Sequence, residues 1–162
     1  MKLTGRLFRR LEDTTGATLL EAAIITPLLL LLTFSIADFG GLFYAYLALE
    51  NGVSQATRQA ITGNTTDDPA HPGTPLSRAE AIKAAMRSAT PTLNIPDSAF
   101  TFQNMPVGGT SWVGGTGGPG AIEKVTITYN WSLMTPLLRP FFTGGQLTMK
   151  VESMMKNESR FQ

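Results

Sequence analysis

Gly16-Ala17-Thr18-Leu19-Leu20-Glu21-Ala22-Ala23-Ile24-Ile25-Thr26-Pro27-Leu28-Leu29-Leu30-Leu31-Leu32-Thr33-Phe34-Ser35-Ile36-Ala37 contains the longest apolar run in the chain. Ala17–Ala37 counts 21 residues and holds one charge, Glu21. As a helix rising 1.5 Å per residue, such a run covers about 30 Å, the thickness of bilayer hydrocarbon. The reading is therefore a transmembrane segment at 17–37. Two residues set it apart from a plain anchor. A carboxylate in this run costs on the order of 2–3 kcal/mol at the bilayer centre and less near its edge. Glu21 is then either a side chain snorkelling to the membrane edge or a functional acid with a cationic partner. Pro27 removes one helical donor and predicts a kink about a turn earlier, near Ala23.

The charges flanking this run differ on its two sides. Across the 162 residues, 13 Lys and Arg against 12 Asp and Glu give a net charge of +1. Residues 1–16 hold Lys2, Arg6, Arg9 and Arg10 against Glu12 and Asp13, a local +2. Beyond Ala37 the remaining nine basic and nine acidic residues cancel. A basic leader followed by an apolar helix predicts membrane insertion with the N-terminus in the cytoplasm. The near-zero balance excludes a dedicated nucleic-acid binder, which carries a strong basic excess. Cysteine is absent, which removes disulfides, thiol nucleophiles and thiolate metal sites, and a single histidine, His71, leaves no histidine cluster for a metal. No acid, base and nucleophile converge in the pattern, so no catalytic residue, metal site or cofactor is expected.

A glycine stands directly before the apolar run and a glutamate five residues after it. Cleavage between Gly16 and Ala17 would leave Ala17 as a free amino terminus, one helical turn from Glu21 at the i,i+4 spacing that shares a face. The new ammonium and the carboxylate would then neutralise one another, within one subunit or between neighbours. A basic leader ending in glycine, a glutamate as fifth residue after the cut, and an apolar helix resemble the class III signal of type IV pilins and pseudopilins. Within that group, Gly16–Ala23 with Thr26-Pro27-Leu28-Leu29-Leu30 resembles the TadE-like proteins of tight-adherence (Tad/Flp) pilus systems. Asp38-Phe39-Gly40 and Tyr46-Leu47-Ala48-Leu49-Glu50-Asn51 continue the resemblance, which covers residues 16–62 well. Val125–Tyr129 and Met154–Glu158 are loosely similar to the family's C-terminal part. Ala22 stands where the family commonly has an aromatic residue.

The resemblance implies a pilin-like α+β fold and a bitopic protein of the bacterial inner membrane, with its C-terminal domain in the periplasm. It implies a pseudopilin-like role in Tad/Flp pilus assembly and adherence, without catalysis. The implied partners are the membrane, a prepilin peptidase acting at Gly16 and Ala17, other pilins or pseudopilins and the Tad assembly machinery. Ala17 and Glu21 would serve assembly. Two other readings stay open: an unprocessed signal-anchored envelope protein, and an exported soluble protein cut after Ala37, where Ser35-Ile36-Ala37 loosely fits the small-x-small rule.

Past the membrane segment, Phe39, Leu42, Phe43, Tyr46, Leu49, Val53, Ala56, Ala60 and Ile61 recur at spacings of three and four, an amphipathic stripe. Gly63-Asn64 is a stop signal. The expectation is one helix from about 17 to about 62, its part at 38–62 amphipathic, the alternative being two helices broken at Gly40-Gly41. Residues 63–162 then form a small antiparallel domain packed on the helix. Asn64–Pro75, with Asp67, Asp68 and His71, predicts a solvated linker. Ser77-Arg78-Ala79-Glu80 is a capping box opening a short helix over 81–89. Phe100–Gln103 predicts a strand, as do the alternations of Val125, Ile127, Tyr129 and Trp131 and of Leu147, Met149 and Val151.

Several motif matches carry no chemistry. Gly115–Gly120 fits G-x-G-x-x-G, but a dinucleotide loop must enter a helix and this one leads to a strand. The seven glycines of Gly108–Gly120 predict a mobile loop. Ser153-Met154-Met155-Lys156 fits S-x-x-K without its companion motifs. The sequons at Asn64, Asn130 and Asn157 matter only on a eukaryotic secretory route.

Overall fold

The computed structural model describes residues 14–63, 67–69, 71–136 and 138–159. Most of the basic leader, residues 1–13, lies outside the described residues. The fold is α+β: a long N-terminal helix with a small antiparallel sheet against its outer half. Helix α1 runs unbroken from Thr14 to Thr62, 49 residues, with Pro27 inside it. Leucine and alanine are strong helix formers, and the run carries enough of them to absorb Pro27 and the pair Gly40-Gly41 without a break. Two hydroxyls of its apolar half find partners on the helix itself. Thr33 Oγ1 donates to the Leu29 carbonyl at 2.8 Å and Ser35 Oγ to the Leu31 carbonyl at 2.7 Å. Each hydroxyl proton is thereby satisfied where no water need reach it. At the far end Gly63 takes φ 66°, the left-handed conformation that closes a helix at little cost to glycine.

Every side chain from Gly16 to Leu30 is exposed, and packing begins beyond them. The buried face is Ala45, Leu49, Val53, Ala56 and Ala60, at helical spacing. This corrects the expected stripe in one respect. Phe39, Phe43 and Tyr46 point away from the core, while the small residues point in. Around Gly52 the second helix leaves no room for a side chain. At Gly52 an added Cβ would lie 2.6 Å from Thr90 Cγ2 and 2.7 Å from Met86 Sδ.

Helix α2, Arg78–Ala89, packs on α1 through Ile82 and Met86. Ser77 caps it as the sequence predicts, its hydroxyl accepting from the Glu80 N–H at 3.3 Å. The Glu80 carboxylate turns outward to Lys83 Nζ at 2.7 Å.

Strands β1 (Asp67–Asp68) and β2 (His71–Pro75) pair in a small hairpin where a plain linker is expected. Proline and glycine in His71–Pro75 conceal it, because all five residues are exposed and show no alternation.

The sheet proper comprises β3 (Phe100–Met105), β4 (Val113–Gly114), β5 (Ile122–Ser132) and β6 (Gln146–Lys156), in the order β4-β3-β5-β6. All its pairs are antiparallel. Ile127 stands opposite Phe100 on one side and Val151 on the other, and Tyr129 opposite Met149. Val125, Ile127, Met149 and Val151 therefore share one face and meet Leu49 and Val53 of α1 in a single core.

Candidate membrane and assembly site

The first half of α1 is bare. Among the described residues α1 is the one helix long and apolar enough to cross a membrane, and its most apolar window is entirely outside the core. That separates it from a buried core helix, which reaches similar hydropathy by packing inside protein. Gly16, Ala17 and Glu21 lie on this bare surface. Ala17 and Glu21 are four residues apart within one helix, so their side chains stand on the same face. Pro27 sits between them and the core, and its missing N–H leaves the Ala23 carbonyl without its usual helical donor.

Where the bare half meets the sheet stands Asp38, 1% exposed. Its carboxylate accepts the backbone N–H of Met134 at 2.8 Å and of Thr135 at 3.0 Å. These donors belong to the connection between β5 and β6, almost a hundred residues later in the chain. Burial is the largest single influence on the carboxyl and pushes its pKa up. The Thr135 side chain, the two backbone donors and the charge of Arg139 together outweigh it and hold the pKa below the usual carboxylate value. Asp38 is thus an ionised clamp joining α1 to the sheet.

A second clamp holds the other end. The Arg78 guanidinium, at the start of α2, donates through Nε to the Ala60 carbonyl at 3.1 Å and again through Nη2. It thereby caps the last turn of α1. Its Nη1 donates to the Gly117 carbonyl. Nη2 also faces Glu123 Oε2 at 3.4 Å, with the Glu123 side chain wholly buried. The same Glu123 oxygen accepts the Gly117 N–H at 2.8 Å. Asn157 completes the cluster, donating to the carbonyls of Gly117 and Gly118 at 3.2 and 2.9 Å. Burial dominates at Glu123 and raises its pKa above the ordinary value. The Gly117 N–H, the Arg78 charge and Asn157 oppose that without reversing it.

This cluster corrects the expectation of a mobile glycine loop. Gly117 is held by its own N–H and by its carbonyl, Asn104 Nδ2 donates to the Gly115 carbonyl at 2.9 Å, and Val113–Gly114 pair with β3. Two of the ties come from Arg78 and Asn157, 39 and 40 positions from Gly117, and the third from Glu123 on the following strand, so glycine composition cannot reveal them. Asp38 was more accessible to sequence reading. It is the first charge beyond the apolar run.

Elsewhere His71 Nδ1 lies 2.8 Å from Asp68 Oδ2 on the exposed hairpin. Among the described residues no three His, Cys, Asp or Glu side chains are grouped to hold a metal ion.

No curated protein and no solved structure matches the chain. The family model described as TadE-like protein matches residues 16–58, so the stretch of α1 from the glycine before the apolar run to the turns that pack on the sheet is TadE-like.

Proposed function

We propose that the protein is a bitopic, pseudopilin-like component of the machinery that assembles Tad/Flp pili. In this reading residues 1–16 are a cytoplasmic leader, 17–37 the span, 38–62 the packed continuation of the helix, and 63–162 an α+β domain on the periplasmic side of the inner membrane. The observation that carries it is the coincidence of two things on one helix. The TadE-like match covers residues 16–58, and residues 16–30 of that stretch are mostly apolar and all exposed. A prepilin peptidase cuts between Gly16 and Ala17. The exposed backbone at Gly16, with open space around its Cα, suits a peptidase that accepts a small residue. The freed ammonium of Ala17 and the carboxylate of Glu21 then share a helical face, where each offsets the other's cost in lipid. Paired with neighbouring subunits, they join helices. Pro27 bends the span between this charge pair and the domain. The protein's work is assembly and adherence, through other pilins or pseudopilins and the Tad apparatus.

The mass of the mature N-terminus tests this reading. It is expected to begin at Ala17, and Gly16→Val is expected to leave the leader attached. A wild-type chain beginning near Met1 would mean an unprocessed anchor, and one beginning at Asp38 an exported soluble protein. Either start, or a normally shortened Gly16→Val chain, would overturn the assignment of the cut.

A further inference from the structure

The connection between β5 and β6, residues 133–145, carries two large apolar side chains into the open. Met134 is 75% exposed and Phe141 76%, among the most exposed large apolar residues of the sheet domain. The connection is nevertheless well tied. Leu133, Thr135 and Leu138 are buried, and Arg139 Nε donates to the Leu133 carbonyl at 3.0 Å. Two short 3₁₀ turns, Arg139–Phe141 and Thr143–Gly145, shape its second half. A tethered loop that keeps apolar side chains outside the core has another medium to put them in.

Its position identifies the medium. Asp38 takes the N–H groups of Met134 and Thr135, which fixes the loop at the first residue beyond 17–37. Phe34 and Ala37 line one wall of a cleft whose other wall is Met134, Thr135 and Pro136. The loop therefore reaches back one helical turn along α1, to the depth of residues that belong to the span. From Leu133 to Phe142 the sequence holds no acid and one base, the exposed Arg139. Apolar tips with a cation beside them match the acyl boundary and phosphates of a lipid surface.

We infer that this loop seats in the bilayer interface on the sheet's side of the membrane, with Met134 and Phe141 among the upper acyl chains and Arg139 at the phosphates. The protein would then hold the membrane at two places, by its helix and by this loop. The inference rests on the reading of 17–37 as a span, and the experiment separates the two.

The chain contains no cysteine, so single-cysteine variants can be spin-labelled without background. Met134→Cys and Phe141→Cys report the loop, Leu29→Cys the span, and the exposed Gln55→Cys the aqueous side. The full-length variants are reconstituted in vesicles of phosphatidylcholine and phosphatidylglycerol, and collisions of each label with oxygen and with a water-soluble nickel chelate are measured. The expected result is oxygen access at 134 and 141 with several-fold fewer nickel collisions than at 55, at a depth between 55 and 29. Labels at 134 and 141 that behave as at 55, with 29 still deep, would overturn the loop's insertion and leave the span standing. Exclusion of both reagents at 134 and 141 would mean that protein covers the loop, and would overturn it too. Label 29 in water would overturn the span, and this inference with it.

Discussion

The Asp38 carboxylate is nearly closed to water and still holds its charge, because two backbone N–H groups and a nearby guanidinium do the work of solvent. Removing it strands both donors in a buried place, and an unmade bond of that kind costs roughly 1–3 kcal/mol. Asp38→Ala is expected to loosen the 133–145 connection first, seen as faster amide exchange at Met134 and Thr135 before any change in the core strands. The pH dependence follows from the direction of the shift. The folded-state pKa lies below the ordinary value, so the clamp's contribution is complete above the ordinary carboxylate range and is lost as pH falls through the lower folded value. Glu123 runs the other way. Burial raises its folded-state pKa, so the stability tied to its neutral form is present in acid below the ordinary value and is lost as pH rises through the raised one. Glu123→Gln keeps an acceptor for the Gly117 N–H and stays neutral. The melting temperature of Glu123→Gln relative to wild type is expected to shift in the variant's favour between pH 4 and pH 7. A difference that stays flat over that range would mean that Glu123 has the same pKa folded and unfolded.

Among the elements, α1 shows why two glycines of one helix are not equivalent. Gly40 faces open space, whereas a Cβ at Gly52 would press on Met86 and Thr90. Alanine at an exposed helical position gains up to about 1 kcal/mol over glycine, and overpacking costs about 1–3 kcal/mol. Gly40→Ala is expected to raise the melting temperature in detergent and Gly52→Ala to lower it, the latter by displacing α2. The same contrast shows what sequence could and could not reveal. The apolar run, the stop at Gly63, the Ser77 cap and the alternation around Ile127 each depend on neighbours in the chain, and each is readable there. Which face of α1 packs inward is not, because Phe39, Phe43 and Tyr46 satisfy the same periodicity as the buried alanines. That choice is made by where β5, β6 and α2 pack. The tied glycine loop and the 67–75 hairpin escape for a similar reason, since their partners are remote or their strands too proline-rich to alternate. Of the candidate site, Gly16, Ala17 and Glu21 could be named from spacing alone. Asp38 and Arg78 acquire their roles from residues far along the chain, Met134 being 96 positions from Asp38 and Gly117 39 positions from Arg78.

For the whole molecule, the proposed division of labour is that the bare end of α1 assembles and the clamped end carries the domain. Glu21→Ala is expected to insert, to be cut at Gly16 and to fold as wild type, yet to leave cells without Tad pili and without adherence. Normal piliation in that variant would make Glu21 merely a residue at the membrane edge. Cleavage after Ala37 fits the structure poorly, because it would sever α1 inside an unbroken helix and remove the Phe34 and Ala37 wall beside Met134. The absence of any break between Thr14 and Thr62 also has a mechanical meaning. Asp38 and Arg78 grip α1 near both ends of its packed half, so sheet and helix turn together. From Asp38 to Thr62 that half is a lever arm of about 37 Å at 1.5 Å per residue. A change of tilt in the bilayer of about 20° would swing its far end by about 13 Å. A force applied to the domain is delivered, in return, to the bare end of α1 as torque along one continuous helix.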